Sequence, residues 1–285
     1  MNGVVLGGLL EPFQYQFFVN GMIVATLAGA LCGLLGVFVV LRGMSYIGHG
    51  LSHAVFGGAA ASAVLQFNYF VGAGIWGVVS GVLIGRIARR RIIGADAAIG
   101  VVTTASFALG LALLNRYGQA KKSIEAVLFG SVLGVQTSDI IAVAVVTLAT
   151  AGIIIAFYRA FVFATFDPEV AEVSGVRVAW VEALLMAMLS ITILVTMRVI
   201  GTLLISALLV IPASIARMLT NSFARMLWIS PIIGAFSGLV GMYLSYHLDT
   251  SASATIILVG TALFIAVYFG TGIRGRTRIA HVHHV

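Results

Sequence analysis

Two histidines, His49 and His53, stand four residues apart in the apolar run that follows Arg42-Gly43-Met44-Ser45-Tyr46. On a helix this spacing projects both imidazoles from one face. Imidazoles at i and i+4 are a common half-site for a transition metal. The bland alternative is two polar side chains hydrogen-bonded to neighbouring helices. Two ligands do not complete a tetrahedral shell. A symmetric pair of copies with this helix at the axis would supply four imidazoles; otherwise other residues or water must contribute. Counted at 1.5 Å per residue from Arg42, the pair falls roughly 10–17 Å into an apolar segment.

Other ionisable groups lie at segment ends. His247 and Asp249 flank the end of one apolar stretch and could ligate metal or guide a cation; the plainer reading is an interfacial polar cap. Glu182 is expected to pair with its neighbours Arg177 or Trp180 rather than to bind metal. Asp96 and Asp139 suit interfacial positions. His281, His283 and His284 form a tail that could bind metal loosely, a tail without an organised site being the simpler reading. Cys32 is the one cysteine, which excludes an intrachain disulfide and a cysteine-based metal site.

The stretch Phe166-Asp167-Pro168-Glu169-Val170-Ala171-Glu172-Val173-Ser174-Gly175 carries helix punctuation. Asp167 suits the N-cap, Pro168 the first turn and Gly175 the stop. It predicts a short capped helix with an acidic first turn, either a connector or a docking element.

These residues need a scaffold, and the composition names its solvent. Of 285 residues, 61% are apolar and 9% charged, with a mean hydropathy of +1.13. A soluble domain carries about a quarter charged residues, so this chain must face lipid. Nine apolar segments are predicted, at about 16–41, 47–66, 70–86, 97–115, 139–158, 178–197, 199–216, 226–247 and 251–270, each near the ~20 residues a span needs. Only Arg198 separates the sixth from the seventh, so eight spans would also fit. The expected fold is an all-α polytopic transmembrane bundle of eight to nine spans in one domain over residues 1–285, with a short cytoplasmic tail from about 272. Gly29, Gly33 and Gly36 stand three or four apart, as where helices approach closely in lipid.

The positive-inside rule orients the bundle. Placing Arg86, Arg89, Arg90 and Arg91 in the cytoplasm brings Arg42, Arg159, Arg177, Arg217, Arg225, Arg274, Arg276 and Arg278 to the same side, leaving Arg116, Lys121, Lys122 and Arg198 outside. The C-terminus is then cytoplasmic. The net charge of +7 reads as topology signal and contact with lipid headgroups, not as a nucleic-acid surface. No G-x-x-x-x-G-K-[ST] loop, HExxH or nucleophile elbow is present, so this polypeptide is not expected to hydrolyse ATP itself.

The run from Leu41 to Val55, which holds Ser45-Tyr46-Ile47-Gly48-His49-Gly50-Leu51-Ser52-His53, resembles the signature of the ABC-3 family of bacterial permeases for manganese, zinc and iron. The 166–175 stretch resembles that family's cytoplasmic coupling segment. The run Ile200-Gly201-Thr202-Leu203-Leu204-Ile205-Ser206 through Ile211-Pro212-Ala213 resembles a third family stretch, and the three stand in family order. The resemblance implies a permease dimer in the plasma membrane, alternating access, two ATPase subunits that bind ATP and dock on the coupling helices, and an extracellular or periplasmic binding protein that delivers the metal. Asp167, Pro168, Glu169, Ala171, Glu172 and Gly175 would form the coupling element, and His53 matches the family's membrane-site histidine. His49 departs from the family, which usually has Asp there. Imidazole suits zinc and other borderline metals, whereas carboxylate suits manganese, so the change tilts the cargo towards zinc. The competing classes are a secondary transporter or channel acting alone, which more often shows an internal repeat, and a membrane enzyme, which would want a carboxylate base beside the histidines.

Overall fold

The structure, a computed structural model, describes residues 11–89, 92–117 and 134–282; the side chains of Arg198 and of residues 272–282 lie outside that description. Among the described residues there are helices and no strands. After a 3₁₀ turn, Glu11–Gln14, the helices are α1 (Gln16–Leu41), α2 (Ile47–Val64), α3 (Tyr69–Arg89), α4 (Ala95–Tyr117), α5 (Thr137–Ala156), α6 (Tyr158–Phe166), α7 (Pro168–Val173), α8 (Val178–Leu219), α9 (Phe223–His247) and α10 (Ala252–Val282).

Among the described residues, eight stretches are long and apolar enough to cross a membrane: α1, α3, α4, α5, the two arms of α8 (Val178–Met197 and Val199–Leu219), α9 and Ala252–Thr271 of α10. Helix α2 is not among them, because its histidines, serines and glycines dilute its apolar character. Its Ile47, Leu51, Ala54 and Val55 are nonetheless fully buried. A helix shielded from lipid by its neighbours can be polar, since only lipid-facing surface must be apolar. The expected eight to nine spans are thus eight apolar stretches and one sheltered helix.

The arms of α8 meet at Gly201, where φ is 75° and ψ 162°. The left-handed φ suits glycine, which has no Cβ to clash. Glu182, early in the first arm, lies beside Arg42 after α1. At the far end the Ile200 carbonyl accepts from Ser253 at the start of α10. The second arm then returns, its Leu209 against Gly36 near the last turns of α1. The break expected at Arg198 therefore falls three residues later.

Helix α1 is the central post. An added Cβ on Gly29 would strike the Gly234 backbone of α9, and one on Gly36 the Leu209 backbone of α8. Close approach through small residues is how helices bind one another where lipid removes the hydrophobic drive. Several buried hydroxyls bond within their own helices: Ser52 donates to Gly48 O (2.7 Å), Thr103 to Ile99 O (2.7 Å) and Ser106 to Val102 O (2.8 Å). Ile141, Val145, Leu148 and Ile155 of α5 are exposed and share a lipid-facing stripe.

These contacts give the bundle two ends. Arg42, Arg89, Ala95, α6, α7 and Glu182 gather at a basic end. The starts of α1 and α10, Ile200 and the tip of α9 gather at the other. Segment three was expected to stop at 86 and runs to Arg89; α6 was expected as loop; the tail expected from 272 continues α10 to Val282.

Candidate metal site and coupling face

Helix α2 carries both histidines on one face, and their Nε2 atoms lie 3.1 Å apart. The rings meet edge to face, centroids 4.6 Å apart and planes at 85°. Either ring can donate to the other, depending on tautomer. Both are half-buried. Tyr46 flanks His49 at 5.2 Å and Phe107 of α4 flanks His53 at 4.9 Å. The opposite side of α2 is wedged in place: Gly48 faces Ser206 and Leu209, and Gly50 faces Ile99 and Thr103.

The nitrogen spacing has a chemical meaning. Zinc–nitrogen bonds of about 2.0–2.1 Å at the tetrahedral angle put two ligand nitrogens about 3.3 Å apart. At a right angle, as in an octahedral shell, bonds of that length put them about 3 Å apart. The spacing of the pair is near both values. Among the described residues no third His, Cys, Asp or Glu joins it. One copy therefore brings two ring nitrogens together there and no carboxylate or thiol. The depth of the pair is less than the count from Arg42 gave. Gly43, at φ 65°, turns the chain, and α2 starts only at Ile47. The imidazoles stand about 3 and 9 Å along its axis.

The basic end holds a cavity of about 530 Å³ lined by Arg42, Arg89, Thr165, Glu169, Glu172 and Glu182, among others. Arg42 Nη1 lies 3.7 Å from Glu182 Oε1, and Arg89 Nη1 lies 3.2 Å from Glu172 Oε1. Glu182 thus pairs with Arg42 and not with the expected Arg177. The Arg42–Gly43 turn brings that arginine back over α8, a long-range closeness that local spacing does not encode. Burial draws the Arg42 guanidinium below the usual arginine range, and Glu182 opposes this.

Helix α7 forms as its punctuation predicts. The Asp167 side chain accepts from the Val170 N–H at 3.0 Å, Pro168 opens the first turn, and Gly175 follows at φ 81°. Ala171 is fully buried, whereas Glu169, Glu172 and Val173 are exposed. The helix rests on the bundle through Ala171 and through the Glu172–Arg89 pair, with Val170 and Val173 exposed.

His247 and Asp249 sit at the other end, both exposed. His247 meets Tyr243 at 4.6 Å and Tyr246 at 5.5 Å edge to face, within an aromatic cluster that reaches Phe18 at the start of α1. The length of α1 separates them from His49 and His53. Asp139 helps begin α5 by accepting from the Gln136 N–H at 2.9 Å. His283 and His284 lie outside the described residues, as does the side chain of His281. The Arg42–Glu182 pair and helix α6 escaped sequence reading; the conjunction of a membrane glutamate and a span-end arginine was the available signal for the first.

The chain resembles known proteins over most of its length. It is 33% identical over 255 residues to the manganese transport system membrane protein MntC of Listeria monocytogenes, covering 90% of this chain and 91% of the relative. It is 35% identical to the manganese import system permease protein ScaB of Streptococcus parasanguinis, covering 90% and 91%. The solved structure of PsaBC from Streptococcus pneumoniae in complex with Fab superposes with a TM-score of 0.80 at 32% identity, covering 92% of this chain and 95% of that one. The ABC 3 transport family profile matches residues 14–271, and the chain belongs to that family.

Proposed function

We propose that this chain is the membrane permease subunit of an ATP-driven importer that carries a divalent transition-metal ion, zinc or manganese, into the cell. The observation that carries this reading is the His49–His53 pair, preset at 3.1 Å on a sheltered helix. Relatives named for manganese transport support the cargo class. Imidazole ligands favour zinc and other borderline metals over manganese.

Two neutral imidazoles bring no negative charge. They hold an ion weakly enough to release it, which transport requires. A second copy of the chain, placing its α2 against this one, would complete a four-nitrogen shell. Metal enters from the end bearing His247, handed over by an extracellular or periplasmic binding protein, and leaves at the basic cytoplasmic end. Alternating access follows from the ATPase subunit gripping Glu169, Glu172 and Val173 of α7 and moving that helix against the bundle. The basic cytoplasmic end follows the positive-inside rule.

A secondary metal transporter acting alone is the second reading. The capped, outward-facing α7 favours the first, because a lone transporter has no use for it. Co-expression with the cognate ATPase subunit separates them. The ATPase should co-purify with the unchanged chain. Replacing Glu169 and Glu172 by Lys should cut its recovery by about tenfold, equivalent to about 1.4 kcal/mol of docking energy. Unaltered recovery would remove α7 from the interface, and an ATPase that never co-purifies would favour the lone transporter.

A further inference from the structure

The basic end contains a linked set of contacts that runs from α7 to the start of α2. The Arg42 side chain is only 9% exposed. Its Nε donates to Thr165 Oγ1 of α6 at 3.4 Å, and its Nη1 stands 3.7 Å from Glu182 on α8. Its Nη2 is buried with no hydrogen-bond partner. All three features are those of an incompletely closed pair. A well-formed arginine–carboxylate contact is about 2.7–2.9 Å and commonly two-pronged. A buried donor left unmade is costly. A relative shift of about 1 Å would bring Nη1 onto Glu182 at that contact distance.

The surroundings allow and direct such a shift. The cavity of about 530 Å³ beside the pair leaves room for it. Arg89 and Glu172, 3.2 Å apart, tie the end of α3 to α7. Thr165 lies two residues before the Asp167 cap of α7, so displacement of α7 reaches Arg42 through α6. From Arg42 the path to the histidines is short and stiff. The Met44 N–H donates to Val39 O at 3.0 Å and the Ile47 N–H to Met44 O at 2.9 Å, which locks the turn between α1 and α2. His49 follows in the first turn of α2.

We propose that Arg42 and Glu182 form a two-position joint, loose in this structure and closed when α6 and α7 shift, that sets the position of the helix bearing His49 and His53. Both are positioning residues. The proposal rests on the reading that an ATPase drives α7.

The test uses the full reconstituted complex of permease, ATPase and binding protein in proteoliposomes. Zinc taken up per ATP hydrolysed is measured for the unaltered complex and for Arg42→Gln, Glu182→Gln and Glu182→Asp. Each neutral variant should lower this ratio about tenfold, within the usual range for coupling between sites. The ATPase rate and the affinity for zinc alone should stay within about twofold of the unaltered complex. Glu182→Asp keeps the charge and should hold the ratio within about threefold. A merely structural role would lower complex yield while leaving the ratio unchanged in the protein that assembles; that result overturns the joint. Should Arg42→Gln fail to assemble, the two Glu182 variants decide alone. Absence of ATP-driven uptake in the unaltered complex would instead overturn the permease reading, and the joint with it.

Discussion

The two ends of the bundle both carry ionisable side chains at helix termini, but they hold them in different ways. At the basic end, His49 and His53 share one face of a helix whose glycines are packed against α4 and α8, with nitrogens 3.1 Å apart. Arg42 and Arg89 each face a glutamate there. At the opposite end, His247 and Asp249 are exposed, and the histidine leans on tyrosines. Two residues of separation at a helix end leave side chains free to point apart; four residues within a packed helix aim them together. Packing neighbours hold the candidate ligand pair at His49 and His53 together, and among the described residues the pair at the other end has no such neighbours to aim both side chains at one point.

The comparison can be broken at either end. The largest effect is expected at His53. His53→Ala should lower metal-dependent uptake by about a hundredfold, the upper end of what losing even a ligand's supporting partner costs. Complex yield should be unchanged, since the side chain is half-buried and its main polar contact is His49. Uptake within twofold of normal would take His53 out of the pathway. The smallest effect is expected at the other end. His247→Ala combined with Asp249→Asn should leave uptake within about twofold, as surface substitutions away from a site do. A larger drop in uptake at saturating metal would show that these two side chains themselves handle the entering ion.

Much of the fold was legible because lipid enforces a simple code. The limits of α1 were expected at 16 and 41 and lie there, and the Gly29–Gly33–Gly36 stripe meets α8 and α9 as small residues should. The cap of α7 was readable residue by residue, since Asp167, Pro168 and Gly175 each satisfy a local need. Misreadings arose where local and tertiary signals diverge. Arg198 looked like a break by charge, yet backbone geometry places the turn at Gly201. Tyr158–Phe166 is aromatic and short, and burial of Phe161 and Ala164 against the bundle makes it helical, which periodicity over nine residues could not establish. The His49–His53 pair was visible because its spacing is local. The Arg42–Glu182 pair was not, because its partners stand 140 positions apart in the chain.

Metal preference tests the central claim most directly. ATP-dependent uptake of zinc and manganese should be compared in proteoliposomes bearing the full complex, with the unaltered chain and with His49→Asp. The account predicts preference for zinc in the unaltered chain, and a shift of about tenfold towards manganese, about 1.4 kcal/mol, when the carboxylate replaces imidazole. An identical metal profile for the two proteins would contradict it, because His49 would then not touch the ion.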